Sequence, residues 1–277
     1  YPTITHTIAN GNDQYICQGI YPFAGIPIGL QSAKNVINVG WLDWNELHVS
    51  SGSNIGPTLD GRWKPDVMAK GKVVTVPRNN NDYDDTQGSS FSTPAVAGAS
   101  ALLYQAYFNQ NGSYPDASLI RAIVCNTATD LTVNGTFFGP DFIFGFGRIN
   151  AARAQEAISA NQYSLDEVSN GETKTFQINV PAGLDKLNVA LAWSDPEAIP
   201  GDTAPLVNNL DLVVTGPDNS DYLPWVIKPA LWFNTATAGV DSVNNIEQVT
   251  VQSPAAGTYT VKVCLLYTSP SPRDDIS

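Results

Sequence analysis

Apolar residues in the first 160 positions fall into two alternating rhythms. Val36-Ile37-Asn38-Val39 and Val73-Val74-Thr75-Val76 are short β-branched runs of the kind that fill buried strands. Ala95 to Phe108 is rich in Ala and Leu and follows Pro94, which a helix tolerates in its first turn. Asp116 to Ala128 follows Pro115 and carries Leu119, Ile120, Ile123 and Val124 as one apolar stripe, which predicts a second helix. Asn150 to Ala160 predicts a third. Short strands alternating with helices are the grammar of an α/β fold with a parallel sheet.

Beyond Gln162 the helical rhythm stops. Thr173 to Val180 alternates polar and apolar residues towards its end, and Leu187–Trp193, Leu210–Thr215, Ile246–Gln252 and Thr258–Val263 repeat the theme. Pro181-Ala182-Gly183, Gly216-Pro217-Asp218 and Pro254-Ala255-Ala256-Gly257 punctuate them as turns. This predicts an all-β antiparallel sandwich or jelly roll over residues 163–263, after an α/β part over residues 1–162. From Cys264 onward, Cys-Leu-Leu-Tyr-Thr-Ser-Pro-Ser-Pro-Arg-Asp resembles the translation of a sequencing adapter. Residues 264–277 are therefore expected to lie outside the fold, a genuine Pro/Ser-rich tail being the alternative. At the other end, Tyr1-Pro2-Thr3-Ile4-Thr5 has neither the basic nor the apolar region of a signal peptide and reads as mid-strand.

Composition narrows the function classes. With 43% hydrophobic and 14% charged residues among 277, a packed interior is feasible. A net charge of −12 without any Lys/Arg run argues against nucleic acid or an anionic membrane as partner. No apolar stretch approaches the roughly 20 residues of a membrane span. Scarce Lys and abundant Asn, Thr, Gly and Ser lean towards an exported, extracellular protein. With the tail set aside, Cys17 and Cys125 remain; a disulfide and two buried thiols are both open.

One segment carries chemistry: Gly88-Ser89-Ser90-Phe91-Ser92-Thr93-Pro94-Ala95-Val96-Ala97-Gly98. A nucleophilic hydroxyl must stand on a tight turn with its backbone N–H facing the same space. A turn of small residues feeding a helix N-terminus supplies both, because unpaired N–H groups and the helix dipole favour negative charge there. Physics alone also allows an ordinary Ser-rich cap.

The segment resembles the active-site serine motif of the subtilisin-like serine peptidases (subtilases), Gly-Thr-Ser-x-Ala-x-Pro followed by x-Val-Ala-Gly, with Ser90 on the nucleophile. Ser89 stands for the usual Thr and Ser92 for the usual Ala. Ala9-Asn10-Gly11-Asn12-Asp13 resembles the family's Ala-Ala-Gly-Asn block, with Asn10 in place of the second Ala. Ser53 to Val67 resembles the Ser-x-x-Gly-Pro-Thr-x-Asp-Gly-Arg-x-Lys-Pro-Asp signature of one subtilase branch. Phe144 to Ala151 resembles the Gly-x-Gly-x-(Val/Ile)-(Asn/Asp)-Ala block. Ala192-Trp193-Ser194-Asp195-Pro196, Leu206 to Leu212, Asn244 to Val249 and Gly257 to Val261 resemble the β-barrel or jelly-roll domain that follows in that branch.

The resemblance implies a secreted serine endopeptidase acting on protein or peptide substrates. It gives Ser90 the role of nucleophile and Asn12 that of oxyanion donor, and lets the backbone of Asn10 and Gly11 line the primary specificity pocket. The family places its catalytic Asp and His ahead of the Ala-Ala-Gly-Asn block, and neither His6 nor His48 sits in a matching setting. The chain is therefore expected to be a fragment without its acid and base, inactive alone. The resemblance also implies calcium in a structural role. Asn79 to Asp85, and Asp195, Asp202 and Asp211, offer hard oxygen ligands, although a solvated acidic loop fits the first set equally. A rival reading is a binding or adhesion protein on a dead peptidase scaffold.

Overall fold

The structure is a computed structural model that describes residues 2–12, 25–26, 29–132, 138–199, 204, 206–227 and 235–268. Strands β1 (His6–Ala9), β2 (Val36–Leu42) and β3 (Val67–Lys70) form a parallel sheet in the order β1-β2-β3. Every residue of β2 is buried, as expected of a central parallel strand covered on both faces. On one face Ile37, Val39, Val67 and Ala69 meet three helices, α1 (Ser89–Asn111), α2 (Ala117–Asn126) and α3 (Ala151–Ser159). These contribute Val96, Leu103 and Tyr107, then Leu119, Ile120, Ile123 and Val124, then Ala154, Ala157 and Ile158. On the other face Leu42 and Met68 pack with Leu131 and Phe144.

Local chemistry sets the helix ends. Gly112 closes α1 in the left-handed region at φ 71°. The Asn150 side chain accepts from the Arg153 N–H at 3.1 Å and caps α3. Helix α1 starts six residues earlier than the apolar pattern predicts, so Pro94 lies inside it.

The Val73–Val76 run, expected as a buried strand, is a surface strand. It belongs to β4 (Lys72–Arg78), which pairs antiparallel with β5 (Asp82–Gln87) around a 3₁₀ turn at Asn79–Asn81. Val73 is 45% exposed. The partner strand explains the difference. β5 offers Asp82, Asp84 and Asp85 rather than apolar side chains, so the hairpin projects into water. The segment 79–85, read as an acidic loop, is thus the tip and one arm of that hairpin.

After α3 come β6 (Thr173–Val180), β7 (Lys186–Ala192), β8 (Asn208–Thr215), β9 (Asp221–Tyr222), β10 (Trp225–Val226), β11 (Thr237–Ala238), β12 (Ile246–Gln252) and β13 (Gly257–Thr268). The described strands here pair antiparallel, in sheets β6-β13-β8-β9, β12-β7 and β10-β11. The first two share a core of Val180, Leu210, Leu212, Val214, Val249, Val251 and Tyr259. β12 is the middle layer: Val249 and Val251 face that core, while Ile246 joins the core of the α/β part.

Polar ties join the two parts as well. Lys34 Nζ donates to Asp195 Oδ2 at 2.6 Å, and Trp63 N donates to Asn244 Oδ1 at 2.7 Å. Asp66 is buried against Lys64 (2.5 Å) and Arg121 (2.8 Å), and Arg121 reaches on to Asn245 Oδ1 at 3.0 Å. Burial alone would raise the Asp66 pKa, but Arg121 and Lys64 outweigh it and hold it below the ordinary range.

The boundary expected at Val263, from the adapter-like sequence beyond it, falls inside a strand. β13 continues to Thr268, with Leu265 buried in the shared core. Val261-Lys262-Val263-Cys264-Leu265 keeps the in-out alternation through 265, so nothing local ends the strand there. Residues 269–277 lie outside the described residues, as does Cys17. Cys125 is a free thiol, its pKa pushed up by burial.

Candidate active site

Two turns meet at the C-terminal end of the parallel sheet. One leaves β1 at Asn10-Gly11-Asn12; the other, Gly88-Ser89-Ser90, opens α1. The Asn10 N–H bonds Val39 O at 2.9 Å, extending the β1–β2 ladder by one residue. Asn10 is fully buried. Its Nδ2 donates to Asn54 O, and Asn54 Nδ2 donates back to Asn10 O at 3.1 Å. The Asn54 N–H also reaches Gly11 O at 3.3 Å. This reciprocal latch explains the glycine: Gly11 has φ +111°, and a Cβ there would sit 2.2 Å from Asn54 Nδ2.

The second turn is equally constrained. The Gly88 N–H bonds Gly71 O at 2.7 Å, and Gly88 adopts φ +133°. Asn12 Oδ1 accepts from the Ser89 N–H at 2.7 Å and from the Ser89 hydroxyl at 3.0 Å. Ser89 Oγ in turn accepts from the Gly11 N–H at 3.2 Å. With its oxygen held by two donors, the Asn12 carboxamide is fixed against the Ser89 turn. On the inner side Ser92 and Thr93 hydroxyls both return to Ser89 O, at 3.1 and 2.7 Å.

Ser90, by contrast, is exposed. As the second residue of α1 its N–H is among the first four, which have no acceptor within the helix. An exposed hydroxyl, a free N–H at a helix N-terminus and an oriented carboxamide therefore stand together. That set can present a nucleophile and hold a developing negative charge. Ser90, Asn12, Gly11 and Asn10 are all brought to this one corner of the fold. Sequence reasoning gave no role to Asn54 or to the Ser89 hydroxyl, the two groups that fix the loops. Ser53-Asn54 stood in the quoted signature, but an Asn in a loop carries no periodic signal of its contact.

Neither histidine joins this corner. His6 begins β1, four residues before Asn10, which at about 3.3 Å per residue puts it roughly 13 Å away at the opposite end of the strand. His48 is exposed, with Nδ1 3.3 Å from Asp43 Oδ2. No hydrogen bond among the described residues connects either ring to Ser90.

The candidate calcium ligands are scattered. Asp84 pairs with Arg78, and Asp85 accepts from the Thr75 hydroxyl. Both oxygens of buried Asp195 are taken, by Lys34, Val207 N and Asn208 N. Asp202 lies outside the described residues. Among the described residues, no three His, Cys, Asp or Glu side chains are gathered as a preformed metal cage.

Residues 3–147 match the family described as "Subtilase family". The chain is 28% identical over 259 residues to the serine protease/ABC transporter B family protein tagA of Dictyostelium discoideum, covering 79% of this chain and 14% of that protein. It is 29% identical over 131 residues to the PII-type proteinase of Lacticaseibacillus paracasei, covering 43% of this chain and 7% of that one. It is 31% identical over 143 residues to the C5a peptidase of Streptococcus pyogenes, covering 46% and 12%. Among solved structures, the prenylagaramide maturation protease PagA superposes with a TM-score of 0.45 at 25% identity, covering 56% of this chain and 51% of that one. The chain thus spans a small part of the length of the curated relatives named here.

Proposed function

The chain belongs to the subtilase family, and from that premise we propose that it is the nucleophile-bearing part of a secreted serine endopeptidase that cleaves peptide bonds through an acyl-enzyme on Ser90. The observation that supports this reading is the joining of two distant loops by Asn12 and Ser89. It holds the Asn12 carboxamide against the turn that carries Ser90.

In the reaction a base takes the Ser90 proton as its Oγ attacks the scissile carbonyl carbon. The carbonyl oxygen becomes an oxyanion, which accepts from Ser90 N–H and Asn12 Nδ2. The buried latch matters because donors already aimed at that charge need no reorganisation when it develops. The intermediate collapses as the leaving amine takes the proton, and water then releases the acyl group from Ser90. The backbone at Asn10 and Gly11, fixed by Asn54, lines the pocket for the substrate side chain. With His6 at the far end of β1 and His48 turned to Asp43, the base and its orienting carboxylate come from elsewhere in the full-length protein. The β-strand part is an appended jelly-roll-type module. The substrates are proteins or peptides; nucleic acid is not a partner. No described helix is long and apolar enough to cross a membrane.

The test is labelling of the full-length protein with a fluorophosphonate probe, followed by peptide mapping. The adduct is expected on Ser90 and absent from the Ser90→Ala variant. An adduct on Ser89 or Ser92, or labelling that survives Ser90→Ala, overturns the assignment.

A further inference from the structure

A buried aromatic residue beside the catalytic corner has no part in the reaction described above. Trp41, on β2, is 3% exposed and lies on the face that Ile37 and Val39 turn towards the helices. Its main chain is tied to the loop 50–54. The Trp41 N–H donates to Ser53 Oγ at 3.1 Å, and Trp41 O accepts from the Ser50 N–H at 3.1 Å. Asn54 of the same loop makes the latch with Asn10.

Two glycines show how closely the indole is fitted. A Cβ at Gly71 would sit 2.4 Å from Trp41 Cβ and 3.0 Å from Gly88 O. A Cβ at Gly52 would sit 2.5 Å from Trp41 Cζ2, on the outer edge of the ring, and 3.4 Å from Asn12 O. The root of the side chain is therefore beside the turn that leads into Ser90, while Gly52 lies against both its far edge and the main chain of Asn12. Neither glycine has a positive φ, so the constraint at both is space. The indole Nε1 is buried with no acceptor among the described residues. A buried indole N–H ordinarily finds a partner, and an enclosed donor without one is costly. Packing, and no hydrogen bond of its own, sets the place of this ring.

We propose that Trp41 is a positioning residue for the reaction: its ring is the spacer that fixes the 50–54 loop and the Asn12 main chain relative to the turn that carries Ser90. The proposal rests on the reading of Ser90 as nucleophile and Asn12 as oxyanion donor. Phenylalanine at position 41 keeps the root of the side chain beside Gly71 and Gly88 but withdraws the edge beside Gly52. The loop and Asn12 then settle into the vacated space. A donor that must meet the developing oxyanion is displaced, and an interaction made only in the transition state is weakened, so the loss falls on kcat.

The experiment is a size-swap cycle in the full-length enzyme: Trp41→Phe, Gly52→Ala and the two together. For each, kcat, KM, Tm and fluorophosphonate labelling are measured. Each single variant is expected to lower kcat about tenfold with KM little changed, less than the roughly 10² that a misplacement of about 1 Å costs. In the double variant the alanine methyl occupies the space that the ring edge leaves. Its kcat should return to within about threefold of the parent, as coupled neighbours require. Trp63→Phe, in the core beside Phe146, should lower Tm by leaving a cavity and not change kcat. Parental kcat in the single variants, additive losses in the double variant, or a change confined to KM overturns the proposal. If Trp41→Phe does not fold, Gly52→Ala alone decides by its kcat and KM. A parent that is not labelled at Ser90 overturns the reading of the site, and this proposal with it. A labelled parent with unchanged variants overturns this proposal alone.

Discussion

Asn12 and Ser89 are separated by 77 positions, yet the Asn12 carboxamide oxygen takes both the Ser89 N–H, at 2.7 Å, and the Ser89 hydroxyl, at 3.0 Å. The backbone donor cannot be mutated away, so the hydroxyl is the adjustable half of this clamp. In the full-length enzyme, Ser89→Ala is expected to lower kcat about fivefold with little change in KM, the effect of one lost hydrogen bond of about 1 kcal/mol. Ser89→Thr, which restores the hydroxyl, should recover the rate. Asn12→Ala removes the donor itself and should lower kcat by roughly 10²–10³, the loss seen when such a donor is removed from subtilisin, a relative. Equal losses in the two alanine variants would show that Ser89 does more than orient Asn12.

The buried charges at Asp66 give a stability prediction. Lys64 and Arg121 both donate to this one carboxylate, and burial already pulls the Lys64 ammonium down to about 8. Asp66→Asn leaves two enclosed cations without a counter-charge, and removing one partner of such a cluster costs about 3–5 kcal/mol. At 2–4 °C per kcal/mol, a Tm fall of roughly 10 °C is expected by calorimetry. Asp84→Asn, which breaks the solvated pair with Arg78, should change Tm by less than about 3 °C.

How much of this was legible in the sequence depends on the range of the interaction. The Ser90 turn, the β2 strand and the α2 stripe are written in neighbouring residues, and there the pattern and the structure agree. Val73-Val74-Thr75-Val76 misled because four β-branched residues look alike in a buried strand and in a surface hairpin; the acidic β5 opposite decides between them. The Asn10–Asn54 latch and the Asp66–Arg121–Asn245 chain join positions 44, 55 and 124 residues apart. No local rhythm encodes such a contact. A polar residue within a family signature is the only hint.

Asp141 predicts a pH dependence. Its Oδ1 accepts from Ile143 N at 2.7 Å and Phe144 N at 2.6 Å, while Oδ2 is buried without a donor. Burial pushes its pKa up to about 7. The folded form therefore holds a proton that the unfolded chain releases near 3.8. Stability from this group is complete below that value and falls as pH rises towards 7, by about 1.4 kcal/mol per unit at most. Urea unfolding from pH 4 to 8 should show that slope reduced in Asp141→Asn, which stays neutral throughout. An identical slope in both proteins would assign the pH dependence elsewhere.

The end of β13 separates what composition suggests from what packing requires. Leu265 is 6% exposed in the core with Leu210 and Leu212. Its N–H bonds Glu172 O at 3.2 Å, and its C=O accepts from Gly171 N at 3.1 Å. A chain ending at Val263 loses that side chain, worth about 1.5–3 kcal/mol, those two backbone hydrogen bonds of about 0.5–1.5 kcal/mol each, and the pairing of residues 264–268 with Asn208–Asp211 of β8. A chain ending at Thr268 keeps all three. Stop codons after 263 and after 268 in otherwise identical proteins should therefore give different melts. The shorter form should melt at least about 5 °C below the longer one. Superimposable melts would mean that β13 ends its useful pairing at Val263, and that the ladder of residues 264–268 with β8 adds nothing to stability.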